Sequence, residues 1–392
     1  MNKLELNAKM HNTHIKGLDG LRGLAALAVF ASHYDQIIFV NKRAGYFDLG
    51  QLFANGNVAV SLFFTLSGYL LSLPYWDSLL YSAPHRNLKT YLLHRLARIM
   101  PAYYFCLTWL LFTDNHWQFA FSNPDILLHY LFLFNFADFS IFSINSVFWT
   151  IAVEMQFYLL LPLLFKLLQK IPKQAVMLIL SIILIAYMLH YFVINTFDKN
   201  IYWPWDNQLT WIRVHGAVLN HSTLAHLPHF LCGVLAAGYA RRIKNTGIAE
   251  GGYQVVFLAT SFLLIIILST PLYEVLSVPA GHYGFPVLSV LIALMILSIP
   301  HSALAVRFLD SLPLRKLGMI SYGFYLYHLP VLQCLDRFAQ NAGFDVVEHW
   351  ALFAACSVIL ALITATLSYR LIERPVLIAV RAKSSASRDI KT

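Results

Sequence analysis

Residues 174–196 read QAVMLILSIILIAYMLHYFVINT, 23 residues without one Asp, Glu, Lys or Arg. A helix rises about 1.5 Å per residue, so this run is long enough to cross a hydrocarbon core about 30 Å thick. Lys166, Lys170 and Lys173 stand just before it, and the same arrangement, an apolar run beside a short basic cluster, recurs along the chain. Further runs lie at 18–40, 57–76, 99–113, 147–168, 224–240, 254–273, 285–300, 317–335 and 350–372. The pattern predicts an all-α, polytopic integral membrane protein with about ten transmembrane helices. The segment 126–136 (ILLHYLFLFNF) is too short to be counted among the spans and reads as interfacial or re-entrant; if it spans, the topology shifts downstream.

Composition and charge agree with this. Of 392 residues, 58% are hydrophobic and 12% charged, about half the charged fraction of an ordinary soluble domain. A soluble globule, a disordered chain and a secreted disulfide scaffold are excluded. The net charge of +9 could suggest nucleic acid, but the basic residues sit in short clusters between apolar runs, so no nucleic-acid partner is expected. With the N-terminus in the cytoplasm, 23 of the 28 Lys and Arg fall on inner segments and only Lys42, Arg43, Lys199, Arg213 and Arg337 on outer ones. That bias predicts both termini cytoplasmic. The expected organisation is a polar cytoplasmic N-terminus at 1–16 without a cleavable signal peptide, a transmembrane domain at 17–376, and a basic cytoplasmic tail at 377–392. The four cysteines lie in apolar runs without a CxxC pair, which indicates neither a disulfide framework nor a thiolate metal site.

Polar groups deep in a bilayer are costly and therefore informative. Arg22 stands at the inner end of the first helix and His33 eleven residues later, roughly 16 Å along the axis. Glu154 enters from the outer side in SVFWTIAVEMQFYLLLPLL and reaches a similar depth to His33. A His and a carboxylate at matched depth form either a general base with its orienting partner or a structural hydrogen bond. Asp35 is the alternative partner, although at i+2 it points away from His33. Arg95 and Arg98, one turn apart in KTYLLHRLARIMPAYY, suit an anionic phosphate or are ordinary inner-side charge. Ser321, Tyr325 and His328 share one face of the ninth helix and either line a cavity or pack. His221, His226 and His229 cluster without an acidic or Cys partner, so no metal site is expected. Trp203, Trp205 and Trp211 form an aromatic belt or a sugar-stacking surface. GLDGLRG has no strand before it and is no dinucleotide loop.

Six stretches in order, GLDGLRGLAALAVFASHY, VSLFFTLSGYLLS, YLLHRLARIMPAYY, SVFWTIAVEMQFYLLLPLL, LGMISYGFYLYHLPV and YRLIERPVL, resemble the acyltransferase-3 family of membrane acyltransferases. The resemblance runs from about residue 15 to 378. It implies transfer of an acyl group, usually acetyl from acetyl-CoA, to a hydroxyl of a carbohydrate or glycolipid acceptor, such as surface polysaccharide or lipid-linked oligosaccharide. Acyl-CoA is then a donor substrate and no cofactor is bound. His33 becomes the catalytic base or acyl carrier and Arg22 its motif partner at the CoA end. Glu154 matches the family's acidic position, and Arg95 and Arg98 its acyl-CoA-handling segment. Asp35, Ser321, Tyr325 and His328 are the cavity-lining or acceptor candidates. The implied compartment is the bacterial inner membrane. Many relatives carry a C-terminal hydrolase-like SGNH domain; none is found in this sequence, so a second transfer step outside the membrane would need a separate protein. A transporter or flippase of lipid-linked sugars fits the composition too, and a non-catalytic assembly protein predicts no effect of changing His33.

Overall fold

The computed structural model describes residues 15–39, 43–84, 87–113, 124–197, 218–242, 250–276 and 286–389. The long helices are α1 (Leu18–Ile38), α2 (Ala59–Tyr81), α3 (Leu88–Thr113), α4 (Trp149–Leu168), α5 (Ala175–Phe197), α6 (Thr223–Arg242), α7 (Glu250–Leu268), α8 (Val287–Ser298), α9 (Leu312–Asn341), α10 (Trp350–Ser368) and α11 (Arg374–Asp389). The fold is all-α apart from a two-residue hairpin, Arg43–Ala44 against Phe47–Asp48.

Six helical stretches among the described residues are long and apolar enough to cross a membrane, seven if the pair Val287–His301 and Ala303–Leu309, bent by 93°, is one span. This multi-pass membrane protein therefore shows fewer strongly apolar spans than the ten expected from sequence. The three that fall short, α1, α6 and α9, have 21, 20 and 30 residues. They are long enough, but each carries charged or histidine side chains. Position explains the difference. In the most apolar windows of α5 and α7 only 22% and 11% of residues are buried, so these helices turn Met177, Ile185, Phe192, Val255 and Phe262 outward, where lipid is the apolar solvent. The helices in the middle of the molecule can instead keep polar groups, because neighbouring helices supply their partners.

Two close crossings fix the interior. At the α1–α9 crossing, a Cβ on Gly318 would lie 1.9 Å from the Asp19 carbonyl oxygen, so only glycine admits this approach. The glycines of GLDGLRG thus serve packing: one on Gly20 would meet the Leu309 carbonyl at 1.9 Å. At the α2–α6 crossing, a Cβ on Gly233 would sit 1.9 Å from the Thr65 carbonyl and one on Gly68 2.0 Å from that of Phe230. Further along, Trp76 Nε1 donates to the Val234 carbonyl at 2.8 Å. Arg241 closes on Asp77 through Nε and a terminal nitrogen, each at 2.9 Å.

Helix α3 starts at Leu88, well before the apolar run expected at 99, so Arg95 and Arg98 lie within a continuous helix. The segment 126–136 does not span: it forms the short helix Pro124–Tyr130 and a 3₁₀ turn at Phe134–Phe136. A π-helical turn, Tyr369–Glu373, joins α10 to α11, so helix runs through the boundary expected at 376. The tryptophans at 203, 205 and 211 and most of the N-terminal segment lie outside the described residues.

Candidate active site

Four charged side chains converge on an internal cavity between α1, α2, α3, α4 and α9. Its volume is about 130 Å³, and Arg22, Arg95, Arg98, Glu154, Ser67 and Tyr158 are among its lining residues. Three guanidiniums and one carboxylate share these walls. Arg22 pairs with Asp19 at 3.3 Å, one turn back on α1. Arg98 lies 3.9 Å from Glu373 in the π turn, a carboxylate with no exposed surface. Arg95 contributes a buried Nε with no hydrogen-bond partner among the described residues. The described lining therefore carries more positive than negative charge, the setting that binds phosphate or carboxylate oxygens through charge-assisted hydrogen bonds.

Glu154 is held by its neighbours. Its Oε1 accepts from the Tyr158 phenol at 2.6 Å, one turn along α4, and from Ser67 Oγ of α2 at 3.0 Å. The pairing with His33 expected from matched depth does not form, and no hydrogen bond or ion pair joins them. Depth along two axes leaves the azimuth free, and the azimuth of α4 turns Glu154 toward the arginines.

His33 stands elsewhere. Helices α1 and α9 run side by side in the same direction, with Gly318 against Asp19 and His328 against His33 further on. Nε2 of His328 lies 3.1 Å from Nδ1 of His33, and the ring centroids are 5.0 Å apart. His33 is half-buried, while His328 has no exposed surface. Between the histidines and the arginines stands Tyr325, which lines the cavity and contacts the His328 ring at 5.7 Å.

The structure thus brings Arg22, Arg95, Arg98, Glu154, Ser321 and Tyr325 to one cavity. It leaves His33 and His328 as a separate pair beyond Tyr325, and Asp35 outside the lining. Sequence reasoning missed Ser67, Tyr158, Thr150 and Glu373. A hydroxyl inside the apolar run SLFFTLSGYLL and a tyrosine at i+4 from Glu154 were the available signals. Of the outer histidines, His226 and His229 are fully buried. His226 Nε2 donates to the Asn220 carbonyl at 3.1 Å, and His229 Nδ1 bonds to Ser289. Among the described residues no three His, Cys, Asp or Glu side chains are grouped to hold a metal ion.

Comparison with known proteins gives a consistent result. A family model described as an acyltransferase domain matches residues 15–370. A protein of Bacillus subtilis named putative peptidoglycan O-acetyltransferase YrhL is 27% identical over 389 residues, covering 93% of this chain and 55% of that protein. The O-acetyltransferase OatA of Staphylococcus aureus is 25% identical over 394 residues, covering 93% of this chain and 57% of OatA. The chain spans little more than half the length of these relatives. No solved structure matches it.

Proposed function

The chain belongs to the acyltransferase-3 family, and on that premise we propose that it is a membrane O-acyltransferase that moves an acetyl group from acetyl-CoA to a carbohydrate hydroxyl. One observation carries the reading: three arginines converge on a single internal cavity whose lining holds, among the described residues, one carboxylate. Such a lining suits the phosphates at the CoA end of the donor, and a transporter of lipid-linked sugars gives no reason for it beside a histidine pair. Arg22, Arg95 and Arg98 hold the donor. Asp19 and Glu373 hold Arg22 and Arg98, and Glu154, fixed by Ser67 and Tyr158, offsets part of the positive charge from the same lining.

His33 supplies the chemistry as general base or acyl carrier. In the base form it takes the proton of the acceptor hydroxyl as the oxygen attacks the thioester carbon. The C–S bond breaks with its electron pair on sulfur, and the proton passes on to give the free thiol of CoA. General-base help of this kind is worth about 10² to 10⁴ in rate.

The bilayer arrangement follows the charge bias: ten crossings, with α1, α6 and α9 joining the seven apolar ones, both termini cytoplasmic, in a bacterial inner membrane. The named relatives point to a glycan acceptor, peptidoglycan in the name of the Bacillus protein, beside the surface and lipid-linked glycans that the family resemblance implies. The test supplies radiolabelled acetyl-CoA to membranes containing the protein and follows label into extractable glycan and lipid-glycan fractions. Label in a glycan fraction supports the reading. No label from acetyl- or succinyl-CoA, with movement of lipid-linked sugar instead, would replace it by transport.

A further inference from the structure

His33 makes no contact with a carboxylate among the described residues. Its partners are a carbonyl and a second ring. Nδ1 of His33 lies 3.0 Å from the Val29 carbonyl oxygen, one turn back on α1, and 3.1 Å from Nε2 of His328. A carbonyl oxygen only accepts, so Nδ1 of His33 carries the proton. At the far end of the same chain, Nδ1 of His328 lies 2.6 Å from the Tyr325 carbonyl oxygen. That nitrogen also carries a proton, which leaves Nε2 of His328 as an acceptor. The two carbonyls impose one polarity: Tyr325 accepts from His328, and the single Nδ1–H of His33 is shared between the Val29 carbonyl and Nε2 of His328. A neutral imidazole has a single N–H, so the lone pair of His33 is on Nε2.

We propose that His328 is a positioning residue for acyl transfer, acting with the Val29 carbonyl on the Nδ1 side of His33 to hold the ring in the tautomer and orientation that make Nε2 the reacting nitrogen. The inference rests on reading His33 as the residue that performs the transfer. His328 is suited to the task by its rigidity. It has no exposed surface, and its ring is flanked by Phe30, Phe324 and Tyr325 at centroid distances of 6.4, 6.3 and 5.7 Å. A second-ring acceptor does for His33 what a carboxylate does for the histidine of a serine protease, without placing another charge in the membrane interior. As Nε2 takes the hydroxyl proton, positive charge spreads over the ring and the Nδ1–H shared by Val29 and His328 is held more strongly. The oxygen then bonds to the acyl carbon and CoA departs.

The experiment compares wild type, His33→Ala, His328→Phe and His328→Gln in proteoliposomes, measuring kcat and KM for acetyl transfer and thermal unfolding of each. The phenylalanine keeps a buried ring and removes the acceptor, whereas the glutamine amide oxygen can still accept from Nδ1. His328→Phe is expected to lower kcat on the order of 10²-fold, toward the loss of general-base help, with KM for acetyl-CoA unchanged. His328→Gln should recover about tenfold of that loss. Should the phenylalanine variant not fold, His328→Leu takes its place in the same comparison. A kcat within about threefold of wild type in the acceptor-free variant, with His33→Ala inactive, would overturn the role of His328 and leave that of His33 standing. A folded glutamine variant no more active than the phenylalanine one would also overturn it. Transfer surviving in His33→Ala would instead remove the reading on which the inference rests.

Discussion

Thr150 Oγ1 donates to the Tyr325 phenol at 2.8 Å, and the same phenol donates onward to the Val147 carbonyl at 3.2 Å. This joins α4 to α9 at the wall between the arginine cavity and the histidine pair. Tyr325 also packs edge-on against Phe63, with centroids 5.9 Å apart. Tyr325→Phe keeps the ring and loses the phenol, so it should cost about 1 kcal/mol of stability and leave transfer within about tenfold of wild type. Tyr325→Ala removes the wall and should cost about 3 to 5 kcal/mol. Thermal unfolding in detergent, alongside the transfer assay, separates the two. Equal losses in both variants would mean that the ring forms no wall.

The arginines should reveal themselves in donor affinity. Arg95→Gln and Arg98→Gln each remove charge-assisted hydrogen bonds worth about 1.5 to 3 kcal/mol. KM for acetyl-CoA should therefore rise by roughly 10- to 150-fold, with a smaller change in kcat. Steady-state kinetics at varied donor concentration is the measurement. A fall in kcat at unchanged KM would place the arginines in some task other than holding the donor.

Glu154 gives a different signature. Its loss removes the one carboxylate on the described cavity lining, held by Ser67 and Tyr158, while Asp19 and Glu373 still face Arg22 and Arg98. Glu154 is half-buried and forms no direct ion pair with these arginines among the described residues, so its loss should cost less than the roughly 3 to 5 kcal/mol of breaking a buried pair. Glu154→Gln should lower the unfolding temperature, and free CoA, by supplying negative charge, should recover more of it than in wild type. No recovery by CoA would contradict the charge-balancing role.

The glycine crossings test the fold itself. Gly233→Leu drives a side chain into the Thr65 carbonyl, and Gly318→Leu into that of Asp19. Neither backbone can yield without separating two helices, so both variants should fail to give monodisperse protein by fluorescence-detected size exclusion. Substitution at Gly251, which has open space around it, should be tolerated. Well-folded Leu variants at 233 and 318 would show that the helices do not approach so closely.

Much of this was legible in the sequence. The apolar runs located all ten long helices from α1 to α10, and the spacing of Arg95 and Arg98 placed both on one face. The extension of α3 back to Leu88 was hidden because His94, Arg95 and Arg98 broke the apolar run. The partner of Glu154 was not legible either: depth follows from counting residues, whereas facing depends on how helices rotate against one another. The Gly20–Leu309 and Gly318–Asp19 contacts set that rotation for α1 and α9. The same contacts bring His328 alongside His33, a juxtaposition of residues 295 positions apart that no local spacing reports.

The most direct test of the account separates donor binding from chemistry in one preparation. His33→Ala protein in proteoliposomes is titrated with CoA and assayed for acetyl transfer beside wild type. The account predicts unchanged CoA affinity, because Arg22, Arg95 and Arg98 are intact, together with a loss of transfer of about 10² to 10⁴. Transfer retained near the wild-type rate would contradict it.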